Sequence, residues 1–95
     1  MTKAEVVIEI SRRTGMKRED IAVMVETMLD VVKDSLVSRE EVYFRNFGSF
    51  IIKHRAAKPA RDIYKNVTVL IPEHDIPSFK PSKEFVSRMN EVQAD

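Results

Sequence analysis

Val42-Tyr43-Phe44-Arg45-Asn46-Phe47-Gly48-Ser49-Phe50-Ile51-Ile52, followed by KHRAAKPARDIYKN over residues 53–66, is the stretch on which the fold turns. The runs 42–44 and 50–52 are β-branched and aromatic, the composition of strands. Asn46-Phe47-Gly48 between them reads as a hairpin turn, although it lacks the stronger Asn-Gly form. A third run, Val67-Thr68-Val69-Leu70-Ile71, is taken as the third strand. The segment between is basic, contains Pro59 and has no helical stripe. A long structureless loop is uncommon in a small domain. The segment is therefore expected to be a hairpin extension projecting into solvent, where both strands are edges and Pro59 is tolerated. Asn66 suits a left-handed turn near its tip.

The residues before this stretch are expected to be helical. Thr2-Lys3-Ala4-Glu5 has capping-box spacing, and Gly15 suits the end of a first helix over about 3–13. Ile21, Val25, Met28, Val32 and Leu36 repeat at helical intervals, and Met24, Leu29 and Val31 widen the stripe. A helix this apolar on more than one side must be covered on more than one side, and a partner subunit is the natural cover. Lys17 is a poor N-cap, so Glu19 and Asp20 must help through the helix dipole. After the strands, Pro72, Pro77 and Pro81 punctuate the return, and Ser82 caps a short last helix with Phe85, Val86 and Met89 on its apolar side. The order expected is ααβββα.

Ninety-five residues make one domain with a thin core. No cysteine is present, so disulfides and thiolate metal sites are excluded. The first residues do not resemble a secretory signal, and no window is long and apolar enough for a membrane span. Net charge is only +1, but its distribution is uneven. Lys53, Arg55, Lys58, Arg61 and Lys65 stand against Asp62 alone over 53–65, whereas four cations face seven acids over 17–41. A local basic stripe binds phosphate even when the total is near neutral, because screening confines distant acids to about 8 Å at physiological salt. His54 and His74 have no second histidine at ligand spacing, so no metal is expected. Gly15 and Gly48 are the only glycines, which rules out a glycine-rich phosphate loop, and no nucleophile–base pair is apparent. Catalysis and a cofactor are not expected.

Asn46-Phe47-Gly48-Ser49-Phe50, then Arg55-Ala56-Ala57-Lys58, then Arg61-Asp62-Ile63, then Ile76-Pro77-Ser78-Phe79-Lys80-Pro81-Ser82-Lys83 together resemble the bacterial HU/IHF family. That family reads GFG-[ST]-F, RAAR, an RNP tip and VPxFKxGK. The resemblance covers essentially the whole chain. Three positions depart from it: Asp62 stands where the family has asparagine, Ile63 where it has the tip proline, and Ser82 where it has glycine.

The resemblance implies an α+β fold in an intertwined dimer. Two N-terminal helices (1–37) form the dimerisation base of a single domain over 1–95. A three-stranded antiparallel sheet (41–52 and 67–80) carries an extended β-ribbon arm (about 53–75), and a short C-terminal helix (82–90) follows. It also implies a cytoplasmic, nucleoid-associated protein that binds double-stranded DNA through the minor groove and bends it. HU-like binding without sequence preference is expected first, with an IHF-like, sequence-preferring bender as the alternative and a scaffold dimer without DNA binding a distant third. A homodimer is expected, with a paralogous partner chain as the variant. Lys53, Arg55, Lys58, Arg61 and Lys65 are implied to meet backbone or groove, and Lys80 and Lys83 to face phosphate. Lys3, paired with Glu26, is implied to exchange that acid for phosphate. Ile63 takes the place of the wedge that unstacks a base step, a kink mechanism inherited from HU and IHF. Tyr64 beside it is a candidate for stacking on sugar or base. Phe47, Phe50 and Phe79 are expected in the dimer core, not on a base-stacking platform.

Overall fold

A computed structural model describes residues 1–93. Helix α1 spans Lys3–Thr14 and α2 spans Arg18–Val37. The Thr2 hydroxyl accepts the Glu5 N–H (3.2 Å) and donates to the Glu5 carboxylate (3.1 Å), so half of the capping box forms. Gly15 ends α1 in the left-handed region at φ 74°, donating its N–H to Ser11 O (2.8 Å). Lys17 begins α2 without a side-chain cap, and Glu19 and Asp20 occupy the first turn. Helix α1 packs against α2, and Ile21 of α2, only 1% exposed, is the most deeply buried side chain among the described residues.

Five strands follow: β1 Val42–Phe44, β2 Gly48–Arg55, β3 Lys58–Asp62, β4 Val67–Ile71 and β5 His74–Pro81; α3 then runs over Lys83–Gln93. They form an antiparallel three-stranded sheet in the order β1-β2-β5 and a separate two-stranded ribbon, β3-β4. The α+β class is therefore as expected, but one assignment is corrected. Val67–Ile71 does not enter the body sheet; it pairs with Lys58–Asp62 in the arm, and the third strand of the body is His74–Pro81. Pro77 and Pro81 hid that strand. They are tolerated because β5 is an edge, where a missing N–H need not break a ladder.

The turn between β1 and β2 places Asn46 at φ 63°, and the Phe47 N–H donates to Phe44 O (3.1 Å). Gly48 opens β2 directly opposite Pro81. A Cβ there would lie 2.6 Å from Phe79 Cζ and 2.6 Å from Lys80 O, so only glycine allows this approach. Over it lies a cluster containing all five phenylalanines. Phe79 is 5.1 Å from Phe47 and 5.2 Å from Phe50 between ring centroids, Phe47 is 5.5 Å from Phe85, and Phe44 meets Phe50 edge-on at 6.1 Å. Ser82 caps α3 by accepting the Phe85 N–H (3.1 Å), which sets Phe85 against the cluster.

The radius of gyration is 18.9 Å. A compact domain of this length has about 12 Å. Its surface of 8260 Å² exceeds the roughly 5,600 Å² expected of a folded monomer of this mass. The projecting ribbon accounts for the first excess; the second also includes an apolar face that the single chain leaves open.

Candidate nucleic-acid interface

The arm grows out of the body sheet without a change of register. Arg55 pairs with His74 at the end of the body ladder, and Lys58 with Ile71 at the start of the ribbon. Each strand has advanced three residues between these pairs. No net bulge intervenes, so the alternation of side chains carries through from body to arm. One face of the ribbon therefore takes Lys53, Arg55, Pro59 and Arg61. It continues the body face that holds Ser49, Ile51 and, across from Ser49, Lys80. The opposite face continues the side of Phe50 and Phe79 through Ile52 and His54 to Lys58, Ala60 and Asp62.

The candidate cations thus separate. Lys53, Arg55, Arg61 and Lys80 share a side. An open groove on the body part of it is lined by Tyr43, Arg45, Ser49, Lys80 and Lys83. Arg45 was missed in the sequence because it reads as a turn residue; its place beside Lys80 appears only when β2 and β5 pair. Lys58 belongs to the other face, and Lys65 lies in the tip loop. Lys3 is not brought to the arm. It begins α1 and forms an ion pair with Glu26 of α2, with both side chains about half exposed.

The tip is built from its own side chains. Asp62 pairs with Val67 to close a four-residue loop, 63–66. Asp62 Oδ1 accepts the N–H groups of Tyr64 (3.0 Å) and Lys65 (3.2 Å), an Asx turn. Arg61 donates to the Asn66 side chain, and Asn66 takes the left-handed conformation at φ 52°. The acid at position 62 therefore has a structural task, and two amide dipoles offset its charge. Ile63 projects from this loop, 78% exposed.

His54 is not isolated at the root of the arm. It lies directly across from Asp75, with Nδ1 2.8 Å from Asp75 Oδ1 and Nε2 3.3 Å from Glu73 Oε2. Asp75 Oδ2 also forms an ion pair with Arg39 (3.3 Å), which follows α2 in a left-handed conformation at φ 67°. The hydrogen bond to Asp75 raises the His54 pKa above its ordinary 6.5; partial desolvation opposes this, and the charge of Asp75 and a hydrogen bond to Glu73 add to it. Asp75 is lowered below 3.8, first by His54 and then by Arg39. A raised histidine stabilises the fold fully below its unfolded pKa and loses that contribution as pH rises through the folded value; a lowered carboxylate loses its contribution as pH falls through its folded value. The link between arm root and helical body is thus strongest between the two. An NMR titration is expected to place His54 above 6.5 in the native protein and to show it falling in Asp75→Asn. A native value at or below 6.5 would show that the pair does not form.

A family model described as bacterial DNA-binding protein matches residues 1–90. The chain belongs to that family. Among relatives of this bacterial DNA-binding protein family, DNA-binding protein HU of Thermotoga maritima is 31% identical over 89 residues, covering 94% of this chain and 99% of its own. Integration host factor subunit beta of Paraburkholderia phymatum is 35% identical over 91 residues, covering 95% and 85%. Among solved structures, an Anabaena HU–DNA cocrystal structure superposes with a TM-score of 0.90 at 24% identity, covering 94% of this chain and 97% of that one. HU from Thermotoga maritima superposes at 0.65 with 22% identity, covering 94% and 98%. These likenesses place the chain among architectural DNA-binding proteins and not among enzymes. HU-like and IHF-like relatives stand at similar distances, so likeness alone does not choose between them.

Proposed function

We propose that this protein is an architectural DNA-binding protein of the bacterial nucleoid in the cytoplasm. In this reading it works as a homodimer that grips the minor groove of duplex DNA with two ribbon arms, bending and compacting it largely without reading sequence. The observation that carries this is the continuous ribbon face bearing Lys53, Arg55 and Arg61 in phase with Lys80 on the body. A two-stranded ribbon enters a groove that a globular surface cannot, and cations along it release counterions from phosphate. Lys83 and Arg45 extend the contact on the body, Lys58 and Lys65 meet backbone from the far side and tip, and Lys3 leaves Glu26 for phosphate at the flank.

The dimer is supported by what one chain leaves open. Val23, Met24, Met28 and Val31 of α2, with Val42 and Phe44 of β1, line an apolar groove. Phe47 and Phe79 remain 45% and 39% exposed. A second copy covering this face would enclose the phenylalanine cluster, including Phe50, in a shared core, and would aim the two arms to the same side.

Ile63 is the wedge in this reading, since isoleucine is among the side chains inserted to unstack a base step. Fluorescence transfer between the ends of a labelled duplex tests it. Ile63→Ala is expected to reduce bending strongly while changing affinity for already nicked DNA little. Normal bending by this variant would remove Ile63 from the mechanism. More than a hundredfold preference for one intact duplex sequence, in competition between random and A-tract DNA with nicked DNA as the deformable control, would replace the HU mode by the IHF mode.

A further inference from the structure

We infer that Arg39, His54, Glu73 and Asp75 form a latch at the root of the arm, which fixes the direction of the ribbon while His54 carries a proton and frees it when that proton leaves. This deepens the proposed function by adding regulation, and only the effect on DNA rests on that reading. The ladder is broken where arm meets body. The body sheet ends at Arg55 and His74, the ribbon begins at Lys58 and Ile71, and residues 56–57 and 72–73 make no ladder pair. Two unpaired residues on each strand make a joint, and side chains cross it instead of backbone bonds. His54 of β2 directs Nδ1 at Asp75 Oδ1 of β5 (2.8 Å) and Nε2 at Glu73 Oε2 in the joint (3.3 Å). The other oxygen of Asp75 pairs with Arg39 (3.3 Å), just past the end of α2. Arg39 is held at φ 67°, a conformation that favours glycine, with its guanidinium against Asp75. A single chain of charges thus runs from the helical body through both strands of the sheet and into the joint.

The need for a proton follows from this geometry. A neutral imidazole has one N–H and one lone pair, and only the protonated ring donates from both nitrogens. With a carboxylate at each nitrogen, the neutral ring turns a lone pair toward an anion and gives up one contact. The contact to Asp75 is the shorter, so Glu73 is released and the joint is freed. The surrounding charges keep the rest of the chain in place. Lys33 and Arg39 stand beside Asp75 along a groove lined by Leu36, Ile52 and Pro77, and His54 and Arg39 hold Asp75 below its ordinary pKa of 3.8, so it stays ionised as the histidine titrates. His74 pairs with Arg55 on the opposite face, its Nδ1 2.9 Å from Pro72 O, and Lys53 shares that face. The raised His54 pKa keeps the latch shut at and below its ordinary 6.5, and the latch opens as pH rises through the folded value. An arm already fixed in direction has less to order when it meets DNA.

The chain has no cysteine, so Thr68→Cys in β4 carries a single dye on the arm. In the free protein, time-resolved anisotropy is expected to show the fast, segmental part of the decay growing about twofold in amplitude between about pH 6 and pH 9, with far-UV circular dichroism unchanged. In the same labelled background, His54→Gln and Glu73→Gln are expected to show the larger amplitude at both ends of the range, and His74→Gln to behave as the unmodified arm does. Glu73→Gln is the decisive variant, because it leaves the charge of His54 in place. Arg39→Gly relieves the left-handed backbone and is expected to loosen the arm without lowering the unfolding temperature. Alongside, affinity of the unlabelled protein for a duplex at fixed salt is expected to fall about fivefold over that range, and Glu73→Gln to lose most of this dependence. An arm whose motion ignores pH, a pH response that survives in Glu73→Gln or is lost in His74→Gln, or a wild-type decay in Arg39→Gly would overturn the inference. So would a rise in amplitude that comes only with loss of circular dichroism, since that is unfolding, or equal pH dependence of affinity in wild type and Glu73→Gln, since that is charge alone. If the wild-type protein binds no duplex at any pH, the proposed function fails, and the anisotropy still decides the latch.

Discussion

Phe79→Ala is expected to destabilise the protein by about 3–5 kcal/mol, the range for truncating a large buried aromatic. Its ring is at the centre of the cluster. It contacts Phe47 and Phe50 at about 5 Å between centroids, Phe85 at 6.5 Å, and it covers the backbone at Gly48. Removing it takes the middle out of a set of edge-on and tilted pairs, each worth about 0.5–1.5 kcal/mol beyond area. No backbone rearrangement refills the space easily, because Gly48 is pinned between Pro81 and the Phe44 turn. The full cost applies only if a second subunit buries what one chain leaves 39% exposed. Thermal unfolding should therefore depend on protein concentration in the wild type and shift to lower temperature in the variant. A loss below about 1 kcal/mol would mean that the cluster faces water in the working protein.

Affinity for duplex DNA is expected to fall by about three to five orders of magnitude between 50 and 200 mM salt. The log–log slope should lie near −5 to −9 if roughly six to ten phosphates are met per dimer. Arg55→Ala should flatten that slope by about 2, one phosphate for each arm, and weaken all duplexes alike. Arg55 is the better probe of phosphate contact than Arg61. Arg61 also holds the Asn66 side chain, so Arg61→Ala loosens the tip as well as removing a charge. A slope near zero in the wild type would leave only the reading in which the protein is a scaffold without DNA binding.

Asp62 shows why part of the interface was not legible beforehand. In sequence it is an acid among cations, and so a liability toward phosphate. In the structure it is the acceptor that shapes the tip, which Asp followed by a turn allows but does not establish. His54 was likewise unremarkable until pairing with β5 set it against Asp75, twenty-one residues on. Phe44 and Phe85 read as ordinary strand and helix residues, and only packing gathers them with the other three phenylalanines.

Local chemistry, which the residues carry with them, determined the two capped helices, the glycine turn at 48, the cationic segment after it and the family to which the chain belongs. Caps, turns and charge density act over a few neighbours and so are written in order along the chain. Register and edges are long-range properties. Which strand closes the body sheet, which cations share a face, and which acid holds the arm root depend on pairing between residues up to thirty-three apart, as at Gly48 and Pro81. Only the tertiary structure decides these, because a strand shifted by one residue would present the same sequence with every side chain reversed.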